Sequence, residues 1–130
     1  MISSENLFKG SALFLAFFGL QFIFTPDLIM SEFFAEGAYP LNATHYWIMR
    51  GCGGSFLNTA TFYWNTADVA DKHMLPATVG WISTSILLPW WAHFNMDITP
   101  KHYIPFLGTF AFAVAHIYAL VSAKGKGKMN

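Results

Sequence analysis

The stretch LFKGSALFLAFFGLQFIF, residues 7 to 24, carries the strongest structural signal in this chain. Lys9 is its one charged residue and Gln21 its one amide; almost everything else is apolar. A helix of this length, at about 1.5 Å per residue, approaches the roughly 30 Å thickness of a bilayer's hydrocarbon core. The apolar residues do not alternate with period two, which argues against a membrane-spanning strand. We therefore expect a transmembrane helix here.

Three further stretches have the same character, so the chain is expected to form one all-α domain, residues 1–130. The prediction is a bundle of four transmembrane helices over residues 7–24, 44–64, 74–91 and 103–123. Tyrosine and tryptophan gather at the span ends, as is typical of the membrane interface. Between the first two spans, Pro26 to Phe34 (PDLIMSEFF) is too short to cross and is predicted to be a short interfacial helix.

Proline and lysine positions set the predicted boundaries and the orientation. Pro76 and Pro105 are expected in the first turns of spans three and four, where a missing N–H costs little. Residues 65–73 are expected to form a loop on the same side as the termini. That side holds five lysines, Lys9, Lys72, Lys124, Lys126 and Lys128, against Lys101 alone on the other. The positive-inside rule then places both termini in the cytosol, stroma or matrix.

Composition supports a membrane protein and excludes several other classes. Apolar residues make up 55% of the chain and charged residues 11%, compared with about 25% charged in an ordinary soluble domain. The formal net charge of zero gives no basic face for nucleic acid. A single cysteine, Cys52, excludes a disulfide framework or a zinc ribbon. The expected partners are membrane lipid and other integral membrane subunits.

Arg50 is predicted to lie inside span two, about 9 Å along the helix from its start. An arginine at that depth is costly and usually has a partner or a function. We expect it to reach the acidic side and to form an ion pair there. The candidate carboxylates are Glu32, Glu36 and Asp97. The alternative is that Arg50 binds an anionic head group or ligand.

Small residues follow Arg50 directly in the sequence GCGGS, residues 51 to 55. Gly51 and Ser55 are four residues apart, as are Gly54 and Asn58, and such spacing lets another helix approach closely. The simplest interpretation is packing within the bundle. The same face could instead form a ligand groove, in which Asn58 is a candidate contact for pigment or lipid.

Histidines are the other candidate cofactor residues. His116 lies well inside span four, where it could hydrogen-bond a neighbour or ligate a cofactor metal such as chlorophyll magnesium; His93 is a second candidate contact. Haem is less favoured because no second buried histidine is evident at matching depth. His45, His93 and His102 lie at the acidic side, but their spacing does not support a metal site. No catalytic residue set is apparent.

Two segments carry a resemblance to a known family. FFGLQFIFTPDLIMSEFF and RGCGGSFLNTATFYW together resemble the small four-helix membrane proteins of the DoxX-like or unknown-function type. The likeness covers most of the chain in layout, and its shared residues are Gly19, Pro26, Arg50, Gly51 and Gly54. It implies a four-helix fold and carries no catalytic residue across.

The sequence favours a non-catalytic accessory subunit of a large membrane complex, because it has no catalytic constellation and many aromatic residues. A photosynthetic assembly in the thylakoid membrane is the preferred setting, with chlorophyll, carotenoid and lipid as possible bound molecules. A respiratory complex in the mitochondrial inner membrane is the alternative setting. A different class of function is a ligand-binding protein or enzyme with a polar site of Arg50, His45, His93, Asp97 and His102. A transporter ranks last.

Overall fold

The computed structural model describes residues 3–33, 42–87, 94 and 103–126. Within these residues there are five α-helices and no strand, so the all-α prediction is confirmed. The helices are α1 (Ser4–Phe24), α2 (Pro26–Phe33), α3 (Ala43–Asn65), α4 (Ala70–Ile82) and α5 (Tyr103–Lys126). A 3₁₀ turn at Ala67–Val69 precedes α4, and a π-helical turn at Ser83–Leu87 extends it.

Side-chain caps fix where two of the long helices begin. The Ser3 hydroxyl accepts a hydrogen bond from the Asn6 N–H at 3.2 Å at the start of α1. At the start of α3, the Asn42 side chain accepts from the N–H groups of Thr44 and His45 at 3.0 and 3.1 Å. Each cap satisfies N–H groups that have no partner inside the helix, which explains why helix begins at these points.

The short helix predicted after the first span is present as α2. It begins at Pro26, and Thr25 alone separates it from α1. Proline suits this position because its fixed backbone angle is compatible with helix and its missing N–H needs no partner there. The position of α2 relative to a membrane stays a prediction.

The segment before the third predicted span differs from the expectation. Residues 65–73 are not a loop, because α4 already begins at Ala70. Ala67 and Ala70 are buried against the core, and their small side chains let the chain turn tightly and re-enter helix. Pro76 consequently lies inside α4, where it removes a donor to the carbonyl of Lys72, and the prediction that it sits in the first turn is wrong. Pro105 does lie in the first turn of α5.

Helices α1 and α3 form the most extensive packed pair, and α4 and α5 form the second. The two pairs meet through α1, which contacts both α4 and α5. A core of mostly small and aromatic side chains fills this junction: Leu7, Phe8, Ala12, Tyr63, Ala67, Ala70, Met74, Ala77, Trp81 and Ala113. Trp81 stacks on Phe112 with ring centroids 4.8 Å apart, which joins α4 to α5.

The backbones of α1 and α3 touch at Gly19 and Gly53. A Cβ atom added to Gly53 would lie 2.6 Å from the Gly19 carbonyl oxygen, and one added to Gly19 would lie 2.9 Å from the Gly53 carbonyl oxygen. Such contacts are too close for any residue except glycine, and the obstructing atoms are backbone, which cannot rotate away. The two glycines therefore set the distance between the helices.

One helix among the described residues, α1, is both long and apolar enough to cross a bilayer. The apolar part of α5, Phe106–Ser122, is shorter. The outer surfaces of both helices expose large apolar side chains, among them Leu13, Phe17, Phe24, Leu107, Phe110 and Val121, each at least half exposed. The fold is thus compatible with a membrane protein, and the number of crossings stays a prediction.

The glycine contact generates a test of the fold. Gly53→Ala should lower the thermal unfolding midpoint in detergent, because the new methyl group forces α1 and α3 apart; overpacking of this kind typically costs about 1–3 kcal/mol. Gly54→Ala is the matched control, since nothing lies within 4 Å of a Cβ atom at Gly54. Circular dichroism of both variants provides the measurement. Equal midpoints would contradict the proposed helix contact.

Candidate functional site

A polar contact joins α2 to α3 at the end of the bundle opposite the termini. The Tyr46 hydroxyl, in the first turn of α3, donates a hydrogen bond to Oδ1 of Asp27 in the first turn of α2. Arg50 lies one helical turn after Tyr46, close enough for its charge to act on the Tyr46 hydroxyl. Asp27 and Arg50 are both exposed. The three side chains place opposite charges around one tyrosine hydroxyl.

The ion pairs predicted for Arg50 are not described by the structure. Glu36 and Asp97 lie outside the described residues, and so does the side chain of Glu32. Those pairs stay predictions. Asp27 was not among the predicted partners, although it is the carboxylate that the structure brings to α3. The sequence signal for Asp27 was the Pro26–Asp27 pair, because an acidic residue after proline is typical of the first turn of a helix. The first turn of α2 is the part that contacts α3.

The predicted histidine cluster is only partly described. His45 lies at the start of α3, half-buried, with its Nδ1 buried and without a hydrogen-bond partner among the described residues. His93 and His102 lie outside the described residues. Within those residues no group of three histidine, cysteine, aspartate or glutamate side chains could hold a metal ion.

The outer face of α3 is the surface formed by Gly51, Gly54, Ser55 and Asn58. No described residue lies within 4 Å of a Cβ atom at Gly51 or Gly54, and Ser55 and Asn58 are exposed. Within the described residues, the close helix approach is made by Gly53 instead. Gly53 is on the side of α3 that faces α1, and the other four residues are on the opposite side, so their predicted packing inside the bundle is not seen among the described residues and stays a prediction. Packing of the outer face against another protein stays a prediction.

Hydrogen bonding along this outer face is uneven. The Ser55 hydroxyl donates to the Gly51 carbonyl at 3.1 Å, and the Thr59 hydroxyl donates to the Ser55 carbonyl at 2.9 Å. The side-chain amide of Asn58 makes no hydrogen bond within the described part of the chain. Its amide offers two donors and an acceptor that the helix backbone does not satisfy. Asn58 is therefore the residue of this face whose side-chain amide is free to bond outside the described part of the chain.

His116 lies in the centre of the bundle and is fully buried, with 0% of its surface exposed. Its Nδ1 donates to the Phe112 carbonyl at 2.8 Å, since a carbonyl can only accept. This hydrogen bond fixes the tautomer and leaves Nε2 as an acceptor. Nε2 is also buried and has no partner among the described atoms.

Three aromatic rings surround His116. The ring centroids of Phe8, Trp81 and Tyr63 lie 5.9, 6.0 and 6.3 Å from that of His116. A second polar atom in this region, the hydroxyl oxygen of Ser11, is also buried without a partner, and Ser11 is 0% exposed. Sequence reasoning singled out His116 but missed Ser11. Nothing in the sequence distinguishes this serine from other small residues of the first span.

The surroundings of His116 do not fit a macrocyclic cofactor. An imidazole whose Nδ1–H is held by a carbonyl is well prepared to ligate a metal through Nε2. A chlorophyll or haem ring, however, needs an open face beside that nitrogen. His116 has no exposed surface, and the three rings occupy three different helices, so the macrocycle would have to displace the core.

A cleft of about 500 Å³ lies at the other end of the bundle. It is formed by residues 3–5 at the start of α1 and residues 67–72 around the start of α4. Its charged residues are Glu5, Asp68, Asp71 and Lys72, and Glu5 pairs with Lys9 at 2.5 Å. None of the residues predicted for a functional site lines it.

No protein-family model matches the chain, and no curated protein or solved structure matches it either. The resemblance to DoxX-like proteins therefore stays a prediction.

The contact between α2 and α3 can be tested by removing one oxygen. Tyr46→Phe should loosen α2, because its hydrogen bond to Asp27 is lost. A hydrogen bond typically contributes about 1 kcal/mol to stability, and its loss corresponds to roughly fivefold faster amide exchange in α2. Hydrogen–deuterium exchange of the α2 peptide provides the measurement. Tyr118→Phe is the control, since Tyr118 is an exposed tyrosine of α5. Unchanged exchange in Tyr46→Phe would show that the contact does not hold α2.

Proposed function

We propose that this chain is a four-span membrane protein that acts as a non-catalytic accessory subunit of a larger membrane complex. The observation that carries the proposal is the outer face of α3. It presents glycine, serine and an unsatisfied asparagine on the surface of a bundle whose other outer surfaces are largely apolar.

Helix lengths support three of the four proposed crossings, those by α1, α3 and α5; the remaining crossing is assigned to α4 with its π-helical extension, 13 and 5 residues long. Helices α3 and α5 contain 23 and 24 residues, enough for about 34–36 Å at 1.5 Å per residue. The chain direction reverses between consecutive spans, which puts both termini on the lysine-rich side. Single cysteines near each terminus, in a Cys52→Ser background, test this with a membrane-impermeant thiol reagent. Labelling of the two termini from opposite sides would contradict the topology.

Side-chain hydrogen bonds are also consistent with a bilayer. Hydroxyl groups along α3 and α4 donate to carbonyl oxygens one turn earlier in their own helix: Ser55, Thr59, Thr61, Thr78, Ser83 and Thr84. Each bond satisfies a hydroxyl donor within its own helix. The hydroxyl then does not need water, which the hydrocarbon core of a bilayer does not provide. Asn58 has no such bond, and a helix from another subunit could supply it. Interhelical bonds of this kind contribute about 0.6 kcal/mol on average.

The accessory role is tested by purification from native membranes. In a mild detergent we expect the chain to migrate with other integral membrane subunits, and Gly54→Leu should reduce that association at least severalfold. Gly80→Leu is the matched control, because Gly80 is also exposed and has nothing within 4 Å of its Cβ position. A chain that migrates alone, or equal losses in the two variants, would contradict the proposal.

The preferred setting is a photosynthetic complex in the thylakoid membrane, and a respiratory complex is the alternative. Chlorophyll, carotenoid or lipid would contact the outer surface, where aromatic side chains such as Phe17, Phe110 and Trp47 are exposed. Asn58 is a possible contact on the same outer surface. An absorption spectrum and mass spectrometry of the intact particle distinguish the settings, since pigment bands and haem bands differ. A particle with neither pigment bands nor haem bands would contradict both the photosynthetic and the respiratory setting.

A second candidate function is ligand binding or catalysis at the end of the bundle where α2 meets the start of α3. Arg50 is exposed beside the Asp27–Tyr46 hydrogen bond, an arrangement that could hold an anionic group. Arg50→Leu separates the two functions. If the chain is an accessory subunit, Arg50→Leu should change only the assembly of the complex or the stability of the chain. Loss of ligand binding or of an activity, with the complex intact and restored by Arg50→Lys, would favour the second function.

A further inference from the structure

The centre of the bundle contains polar atoms that the protein itself does not satisfy. Nε2 of His116 and the hydroxyl oxygen of Ser11 are both buried, and neither has a hydrogen-bond partner among the described atoms. Both residues are 0% exposed. Buried polar atoms without partners are rare in folded proteins, and a bound water or ion is one of the recognised explanations for them. The requirement is stronger inside a bilayer, where bulk water does not reach.

The two residues lie on facing turns of α1 and α5. Phe8, one turn before Ser11, has its ring centroid 5.9 Å from that of His116. Gly10 lies opposite Phe112, with its Cβ position 3.6 Å from the Phe112 ring. Phe112 in turn supplies the carbonyl that holds Nδ1 of His116. Residues 8–11 of α1 therefore face residues 112–116 of α5.

We propose that Ser11 and His116 form a binding site for a single internal water molecule. Nε2 can only accept, because the proton of the neutral ring is on Nδ1, and a water O–H would donate to it. The serine hydroxyl can accept the second water O–H or donate to the water oxygen. The Trp81 indole N–H is buried in the same core and lies close enough to act on the Tyr63 hydroxyl, so the proposed water is assigned to Ser11 and His116 alone. A water molecule needs two to four such partners.

The chemistry of the site excludes larger or more demanding ligands. A structural metal ion takes several nitrogen, sulfur or oxygen ligands, and the described residues contain no group of three metal-binding side chains. A macrocyclic cofactor would have to displace Phe8, Tyr63 or Trp81. Water is small and neutral, and it has donors and acceptors on all sides. The inference is independent of the accessory role proposed above, because it concerns the inside of the bundle.

The experiment is magic-angle-spinning NMR of the full chain in lipid bilayers, with ¹⁵N-labelled histidine and magnetisation transferred from water. His116→Phe identifies the His116 signals among those of the five histidines. We expect a neutral ring protonated at Nδ1, and transfer from water to Nε2. The absence of such transfer, as in a direct Ser11–His116 hydrogen bond, would overturn the proposal. A ¹⁵N shift typical of a metal ligand, with a bound metal found by elemental analysis, would also overturn it.

A pair of serine variants tests whether Ser11 shares the water. Ser11→Ala removes one of the two partners, and we expect at least a twofold loss of transfer to His116 Nε2. Ser55→Ala is the control, because Ser55 is exposed and bonded to its own helix. Full transfer in Ser11→Ala would show that the water does not bridge the two residues. If Ser11→Ala does not fold, the measurement on the unmodified chain still decides whether water reaches Nε2.

Discussion

The backbone contact between Gly19 and Gly53 is the constraint on which the arrangement of the bundle depends. Most of the described packing of α3 is against α1, and no side chain separates the two helices at this point. The short distance between the two helices brings the C-terminal half of α3 against the first turns of α1. There Tyr63 packs edge-on to Phe8, with ring centroids 4.9 Å apart. Without the close approach, Tyr63 would not reach the core that α4 and α5 complete.

The same constraint decides which surface of α3 remains free. Because Gly53 faces α1, residues Gly54 and Asn58 face away from it, and no described residue covers this polar stripe of α3. In a bilayer such a stripe is better placed against protein than against lipid. The inner and outer faces of one helix thus have different roles, packing on one side and proposed assembly on the other.

The core combines aromatic packing with a few polar atoms, and this combination limits what it can bind. Trp81, Tyr63 and Phe8 enclose His116 closely enough to exclude a large cofactor, while the Nδ1–Phe112 hydrogen bond leaves Nε2 as an acceptor without a donor among the described atoms. A single water molecule, as proposed for Ser11 and His116, is small enough to complete these hydrogen bonds without displacing the aromatic side chains. Function that involves other molecules is therefore expected at the surface.

The sequence by itself determined the helices. Apolar stretches predicted α1, α3 and α5 nearly to their ends, because the length of an apolar run reflects local composition, and PDLIMSEFF predicted the short helix α2 because the stretch is too short to cross a bilayer. Tertiary structure alone decided which face of each helix is inside. The glycines at 51, 53 and 54 look alike in sequence, and only the crossing with α1 makes Gly53 the contact. Likewise, Pro76 lies inside α4 because the buried alanines before it extend the helix, and Ser11 acquires its proposed role only because α5 packs beside the first turns of α1 and buries it.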